Sequence, residues 1–244
     1  MSLPCPLYPK LSGNEHVYGD RGPVSVIHVF AGGAMTALSS DSLPNVPSLE
    51  IPFQALVTAN PAELRQLLLQ LLCQAAYQEG DFILSSGQHS TYYINGKLVS
   101  LHPQGAWLIG RLLLNHLPRE IKAVAGLTLG ADPIVTAVSM VAARDERLLF
   151  PLIVRKEAKG HGTQAYVEGM TMAAGTPVAV LEDVVTTGQS ALTAVNRLRA
   201  AGYQVDRIVA LVDREQGGSD LYRQQGVTFE ALFSIRDLQG YHQG

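Results

Sequence analysis

The sequence holds only two cysteines in 244 residues, Cys5 and Cys73, in unrelated surroundings. That excludes a disulfide framework and a cysteine-based zinc site. Charge is also scarce, at 16% of residues with a net of −3. Without a basic balance there is no bulk attraction to nucleic acid or to an anionic membrane, so neither is expected as a partner. No uncharged apolar run reaches the roughly 18 residues that would suggest a membrane span. The opening MSLPCPLYPK lacks a basic segment followed by an apolar one, so it does not read as a secretory signal. A soluble, cytoplasmic protein is the expectation. Hydrophobic residues are plentiful, at 47%, enough for one sizeable domain with a small extra segment.

Residues 1–58 are rich in Pro, Gly and Ser and poor in periodicity; their one apolar run is VSVIHVFAGGAM at 24–35. They read as a loosely ordered extension ahead of a domain over 59–244. NPAELRQLLLQLLCQAAY opens that domain as a helix, with Asn60 as cap, Pro61 in the first turn and Glu63 completing a capping box. Leucines 64, 67, 68, 71 and 72 supply its apolar face. Short apolar runs at 122–129, 148–156, 176–184 and 204–215 then alternate with amphipathic helices. That alternation predicts an α/β fold with a mainly parallel sheet flanked by helices. Ligands of such sheets sit at the carboxyl ends of the strands. Polar residues cluster at those places: 130–132, 155–161, 182–190 and 213–217.

The stretch VAVLEDVVTTGQS places Glu182 and Asp183 at a strand end, followed by Val184, Val185, Thr186, Thr187, Gly188, Gln189 and Ser190. Glycine lets a backbone approach a ligand closely. Amide groups and hydroxyls at the start of the following helix make an anion site suited to a phosphate. The spacing matches neither GxxxxGK[ST] nor GxGxxG. The two carboxylates can bind vicinal sugar hydroxyls, hold Mg²⁺ through water, or offset developing positive charge. A ribose 5-phosphate suits both halves; the plainer alternative is a pair of solvated acids before an ordinary helix cap. RKEAKGHGT gathers Arg155, Lys156, Lys159 and His161 between movable glycines. It reads as a positive lid over a diphosphate or, more plainly, as a solvated basic hairpin. No HExxH or Cys/His metal spacing occurs.

These motifs together make roughly 60–240 resemble the orotate phosphoribosyltransferases. The acidic pair and TTG turn resemble the signature of type I phosphoribosyltransferases for 5-phosphoribosyl 1-diphosphate (PRPP). RKEAKGHGT resembles the mobile catalytic loop of the orotate enzymes, and ALVDREQGG resembles their orotate-contacting stretch. FILSSGQHSTYYINGK resembles the N-terminal hood over the base, here about 80–99. The resemblance implies transfer of phosphoribose from PRPP to orotate with Mg²⁺, giving orotidine 5'-monophosphate and diphosphate. It implies a homodimer in which the 155–163 loop reaches the neighbouring site. It assigns Arg155, Lys156, Lys159 and His161 to PRPP, with Lys159, His161 and Asp183 catalytic. Glu182 and Asp183 take the ribose hydroxyls, residues 186–190 cradle the 5-phosphate, and Val184 and Val185 belong to the same PRPP-binding stretch. Thr128, Leu129, Gly130, Ala131 and Asp132 form the loop beneath the diphosphate. Thr186, Arg214 and Lys97 contact orotate, while Mg²⁺ is held mainly by PRPP, with water-mediated help from Glu182 and Asp183.

The sequence departs from relatives at three places. Ser85 stands where some carry lysine, Lys97 where relatives have arginine, and Asn95 where they have aspartate. Rival readings are a transferase for another nucleobase, a non-catalytic PRPP-sensing regulator, and a nucleotide-binding α/β protein without transfer chemistry.

Overall fold

The computed structural model describes residues 49, 51–83, 89–158 and 166–243, all within the compact unit Pro47–Gly244. A short helix, α1 (Phe53–Thr58), leads into α2 (Pro61–Ala75). The Asn60 side chain accepts from the amides of Ala62 and Glu63, and the Glu63 carboxylate accepts from the Asn60 amide, so the expected capping box forms. The apolar face of α2 is wider than the leucine spacing implied: Leu69 and Cys73 are buried, while Leu67 is only partly so. The sequence reading starts the folded part near Asn60, whereas the structure has packed chain from Leu49. Leu56 is fully buried, and the Gln104 side-chain amide donates to the carbonyls of Leu49 and Ile51 at 3.2 Å each. Phe53 also meets Trp107 edge to face. Two buried leucines, Leu49 and Leu56, a ring contact and an amide clamp anchor this stretch without any helical periodicity long enough to read.

Strands β1 (Tyr77–Ile83) and β2 (His89–Ile94) form an antiparallel hairpin apart from the main sheet. A one-turn helix, α3 (Lys97–Ser100), and α4 (Pro103–Asn115) follow. The main sheet is built from β3 (Ala123–Leu127), β4 (Phe150–Val154), β5 (Val167–Gly169), β6 (Pro177–Val185), β7 (Gln204–Asp213) and β8 (Thr228–Ser234), with α5 (Asp132–Arg144), α6 (Gln189–Ala200), α7 (Gly218–Gln224) and α8 (Ile235–Gln243) between and after them. The strand order is β5-β4-β3-β6-β7-β8. Every pair is parallel except β4–β5.

The central parallel strands β3, β6 and β7 are largely buried on both faces, which is why they read as continuous apolar runs. Ala179 and Leu181 of β6 join the core under α2, α4, α5 and α8. Val178 and Val180 join a second core under α6 and α7. The chain builds outward from β3 to β4, then returns to the other side of β3 for β6, β7 and β8. This reversal lies between β3 and β6, and in open α/β sheets the crevice at such a reversal takes the ligand. Among the described residues no helix is long and apolar enough to cross a membrane.

Candidate active site

The carboxyl ends of β3, β4, β6 and β7 carry the polar segments singled out from the sequence. After β3, the amide of Thr128 donates to the Val154 carbonyl at 2.9 Å, and its hydroxyl donates to Asp132 Oδ2 at 2.7 Å. This bond closes the 128–132 turn, which holds a cis Thr128–Leu129 peptide, just ahead of α5. Gly130 packs directly against the acidic pair: a Cβ there would lie 2.6 Å from Asp183 Oδ1. The turn expected beneath a diphosphate is therefore in contact with the carboxylate expected to hold the sugar.

Glu182 and Asp183 diverge from the end of β6. Asp183 faces Gly130 and Gly96 and accepts from the Val184 amide at 2.9 Å. Glu182 is 6% exposed, and its Oε2 has no hydrogen-bond partner among the described residues. Burial first, then the neighbouring Asp183, hold its carboxyl well above the ordinary carboxylate range, while Lys156 pulls the other way. Lys156, from the chain leaving β4, thus acts electrostatically on Glu182. A buried carboxyl with a free oxygen at a sheet switch point suits a ligand hydroxyl better than it suits packing.

The 186–190 turn starts α6. Gly188 takes φ +86° at the helix N-cap, a left-handed conformation that glycine adopts at little strain. Glu182, residues 184–191 and Tyr222 enclose a cavity of about 50 Å³ beside the turn. Tyr222 from α7 forms one wall. It is fully buried, its hydroxyl lacks a partner among the described residues, and burial and the Glu182 and Asp213 charges push that hydroxyl's pKa up. Hydroxyls, helix-start amides and the α6 dipole converge here, the arrangement that binds phosphate.

Arg214 follows β7 and is only 7% exposed. Its Nε donates to the Tyr92 hydroxyl and its Nη2 to the Ser90 hydroxyl, both at 3.2 Å, and its guanidinium lies 4.6 Å from the Tyr92 ring centroid. Its own amide donates to the Val185 carbonyl at 2.9 Å, tying it to the end of β6. The hairpin β1–β2 therefore covers Arg214, as a hood would. Lys97 is exposed and lines an apolar groove with Leu129 and Asp132, on the side of the 128–132 turn. Arg155 pairs with Glu168 across the β4–β5 edge at 3.2 Å. Lys159, His161 and Ser85 lie outside the described residues.

Several contributors were not legible beforehand. Tyr222, Ser90 and Tyr92 reach the site through tertiary contacts; the hood stretch contained Ser90 and Tyr92 without assigning either a role. Gly96, inside the hood stretch, approaches Asp183, a contact that the resemblance did not assign.

A scan against models of protein families gave no match. The chain is 64% identical over 190 residues to the orotate phosphoribosyltransferase of Synechocystis sp., covering 78% of this chain and 96% of that protein. It is also 64% identical over 186 residues to the orotate phosphoribosyltransferase of Nostoc sp., covering 76% and 90%. Its fold matches the crystal structure of Mycobacterium tuberculosis H37Rv orotate phosphoribosyltransferase in complex with PRPP, with a TM-score of 0.60 at 32% identity, over 72% of this chain and 99% of that one. With a switch-point site of this make-up and relatives this similar along nearly their whole length, the chain belongs to the orotate phosphoribosyltransferase family, enzymes of the type I phosphoribosyltransferase superfamily.

Proposed function

We propose that this enzyme transfers the 5-phosphoribosyl group of PRPP to orotate, releasing diphosphate and orotidine 5'-monophosphate, a step of pyrimidine nucleotide synthesis. The observation that carries the acceptor is buried Arg214, held by Ser90 and Tyr92 under the hairpin and tied to the end of β6. A guanidinium in a dry site needs an anionic partner, and its planar fork matches a carboxylate. Adenine, hypoxanthine and uracil carry no such group.

The chain's own residues divide the work. The 186–190 turn holds the 5-phosphate, and Glu182 with Asp183 takes the ribose hydroxyls. Arg155, Lys156 and Lys159 face the diphosphate, where negative charge grows as its bond to C1' breaks, and His161 donates a hydrogen bond to it. Asp183 offsets the positive charge that develops on the sugar. The orotate ring nitrogen bonds to C1' as the C1'–diphosphate bond breaks, and the proton it carried passes to the departing diphosphate or to solvent. The hairpin and the 155–163 loop exclude water from the reacting centre. Among the described residues no cluster of three or more His, Cys, Asp or Glu could hold a metal unaided. The unpartnered Glu182 oxygen and Asp183 still suit Mg²⁺, which takes few protein oxygens beside water and ligand phosphates. When bound with PRPP, that ion would neutralise charge on the diphosphate.

A homodimer belongs to the same reading, with the 155–163 loop reaching the partner's site. Its support is an apolar groove of about 620 Å³ beside the 128–132 turn, where Leu101, Leu129 and Met140 are 71%, 71% and 70% exposed. The test of the reaction is loss of orotate absorbance on adding PRPP, with and without Mg²⁺. Rapid loss that needs both is expected; folded protein that leaves orotate unchanged refutes the reading.

A further inference from the structure

Arg197 stands in the last turn of α6 and reaches the chain leaving β4. Its Nη1 donates to the Arg155 carbonyl, and its Nη2 donates to the Lys156 carbonyl at 2.9 Å. The same guanidinium lies 4.2 Å from the centroid of the Tyr166 ring. Tyr166 is the residue entering β5, and its carbonyl accepts from the Arg155 amide at 2.8 Å. One side chain therefore fastens the outgoing strand at two consecutive carbonyls and stacks on the returning strand. None of the sequence motifs includes Arg197.

We propose that Arg197 is a positioning residue for PRPP binding: it fixes the backbone at 155–156 and so sets the direction in which the Arg155 and Lys156 side chains leave it. The inference rests on the site reading above, which makes those two side chains PRPP contacts. Consecutive carbonyls at a strand end point in different directions. Holding both needs paired donors on a rigid plane, which a guanidinium has and an ammonium lacks. The plainer alternative is that Arg197 only places a cation at the carboxyl end of α6, a role that lysine would fill as well.

The experiment compares wild type, Arg197→Lys and Arg197→Ala by calorimetric titration with Mg²⁺-PRPP and, separately, with inorganic phosphate. Phosphate samples the 186–190 turn but not residues 155–156. Both variants are expected to weaken PRPP binding about tenfold, the scale of one or two lost hydrogen bonds, with phosphate affinity unchanged. Arg197 borders a cavity of about 410 Å³ that also reaches Tyr166 and Tyr203. Removing its side chain opens that space inward, so millimolar guanidinium is expected to restore PRPP binding to Arg197→Ala but not to Arg197→Lys. Wild-type affinity in Arg197→Lys overturns the proposal, because charge alone then suffices. Equal weakening of phosphate and PRPP also overturns it, because the effect is then general. The titrations need no acceptor. Wild type that binds PRPP yet consumes no orotate removes the proposed reaction and leaves the Arg197 comparison standing.

Discussion

Substituting Gly188 by alanine tests the phosphate turn through two separable effects. At φ +86°, a Cβ adds left-handed strain of about 1–2 kcal/mol. It would also sit 2.8 Å from Cζ and 2.9 Å from the hydroxyl oxygen of Tyr222, whose ring is fully buried. Overpacking of that kind adds about 1–3 kcal/mol, for a total of about 2–5 kcal/mol. Gly217 is the internal control: its φ is +94°, but a Cβ there would meet nothing within 4 Å, so Gly217→Ala shows the strain alone, about 1–2 kcal/mol. Urea unfolding of both variants reads the difference. Gly188→Ala is expected to be the less stable by at least about 1 kcal/mol, and to bind ribose 5-phosphate more weakly because the turn is pushed outward. In a Tyr222→Leu background, which removes the two opposing atoms, the excess should largely disappear. A Gly188→Ala penalty no larger than that of Gly217→Ala, or an excess that survives in Tyr222→Leu, refutes the packing argument.

Three further outcomes follow from the site. Glu182 carries a carboxyl whose folded pKa is raised by burial, so its contribution to stability is present below the ordinary carboxylate pKa and is lost as pH rises through the folded value. Glu182→Gln should therefore gain stability relative to wild type as pH is raised from 4 toward 9, roughly the span of documented buried carboxyls, in thermal melts without ligand; a constant difference contradicts this. Arg214→Lys keeps the charge but loses the fork, and with two charge-assisted bonds of about 1.5–3 kcal/mol each at stake, orotate kcat/KM should fall roughly 100- to 10,000-fold while PRPP affinity holds. Met140→Glu, placed in the exposed apolar groove, should shift sedimentation from dimer to monomer; an unchanged dimer assigns the interface to another face.

The parallel sheet was legible because its central strands are largely buried on two faces and so form unbroken apolar runs such as AVAGL and VAVL. Strand β5 was not: it is three residues long, follows a polar stretch and is defined only by pairing with β4. Helix α7 begins at consecutive glycines, which argue locally against a helix, and is held by burial of Tyr222 against the sheet. In the site, the acidic pair and the glycine turn announce themselves because backbone approach and charge impose residue types at fixed spacing. Tyr222, Ser90, Tyr92 and Arg197 act from other elements, at separations that only the tertiary fold sets.

The most direct measurement offers the enzyme equal concentrations of orotate and uracil with Mg²⁺-PRPP and follows both nucleotides and the released diphosphate. The two bases differ only by the carboxylate that the proposed function assigns to Arg214. Orotidine 5'-monophosphate appearing one-to-one with diphosphate, with uracil untouched, is the predicted result. Comparable use of uracil, or diphosphate release without either nucleotide, contradicts the account.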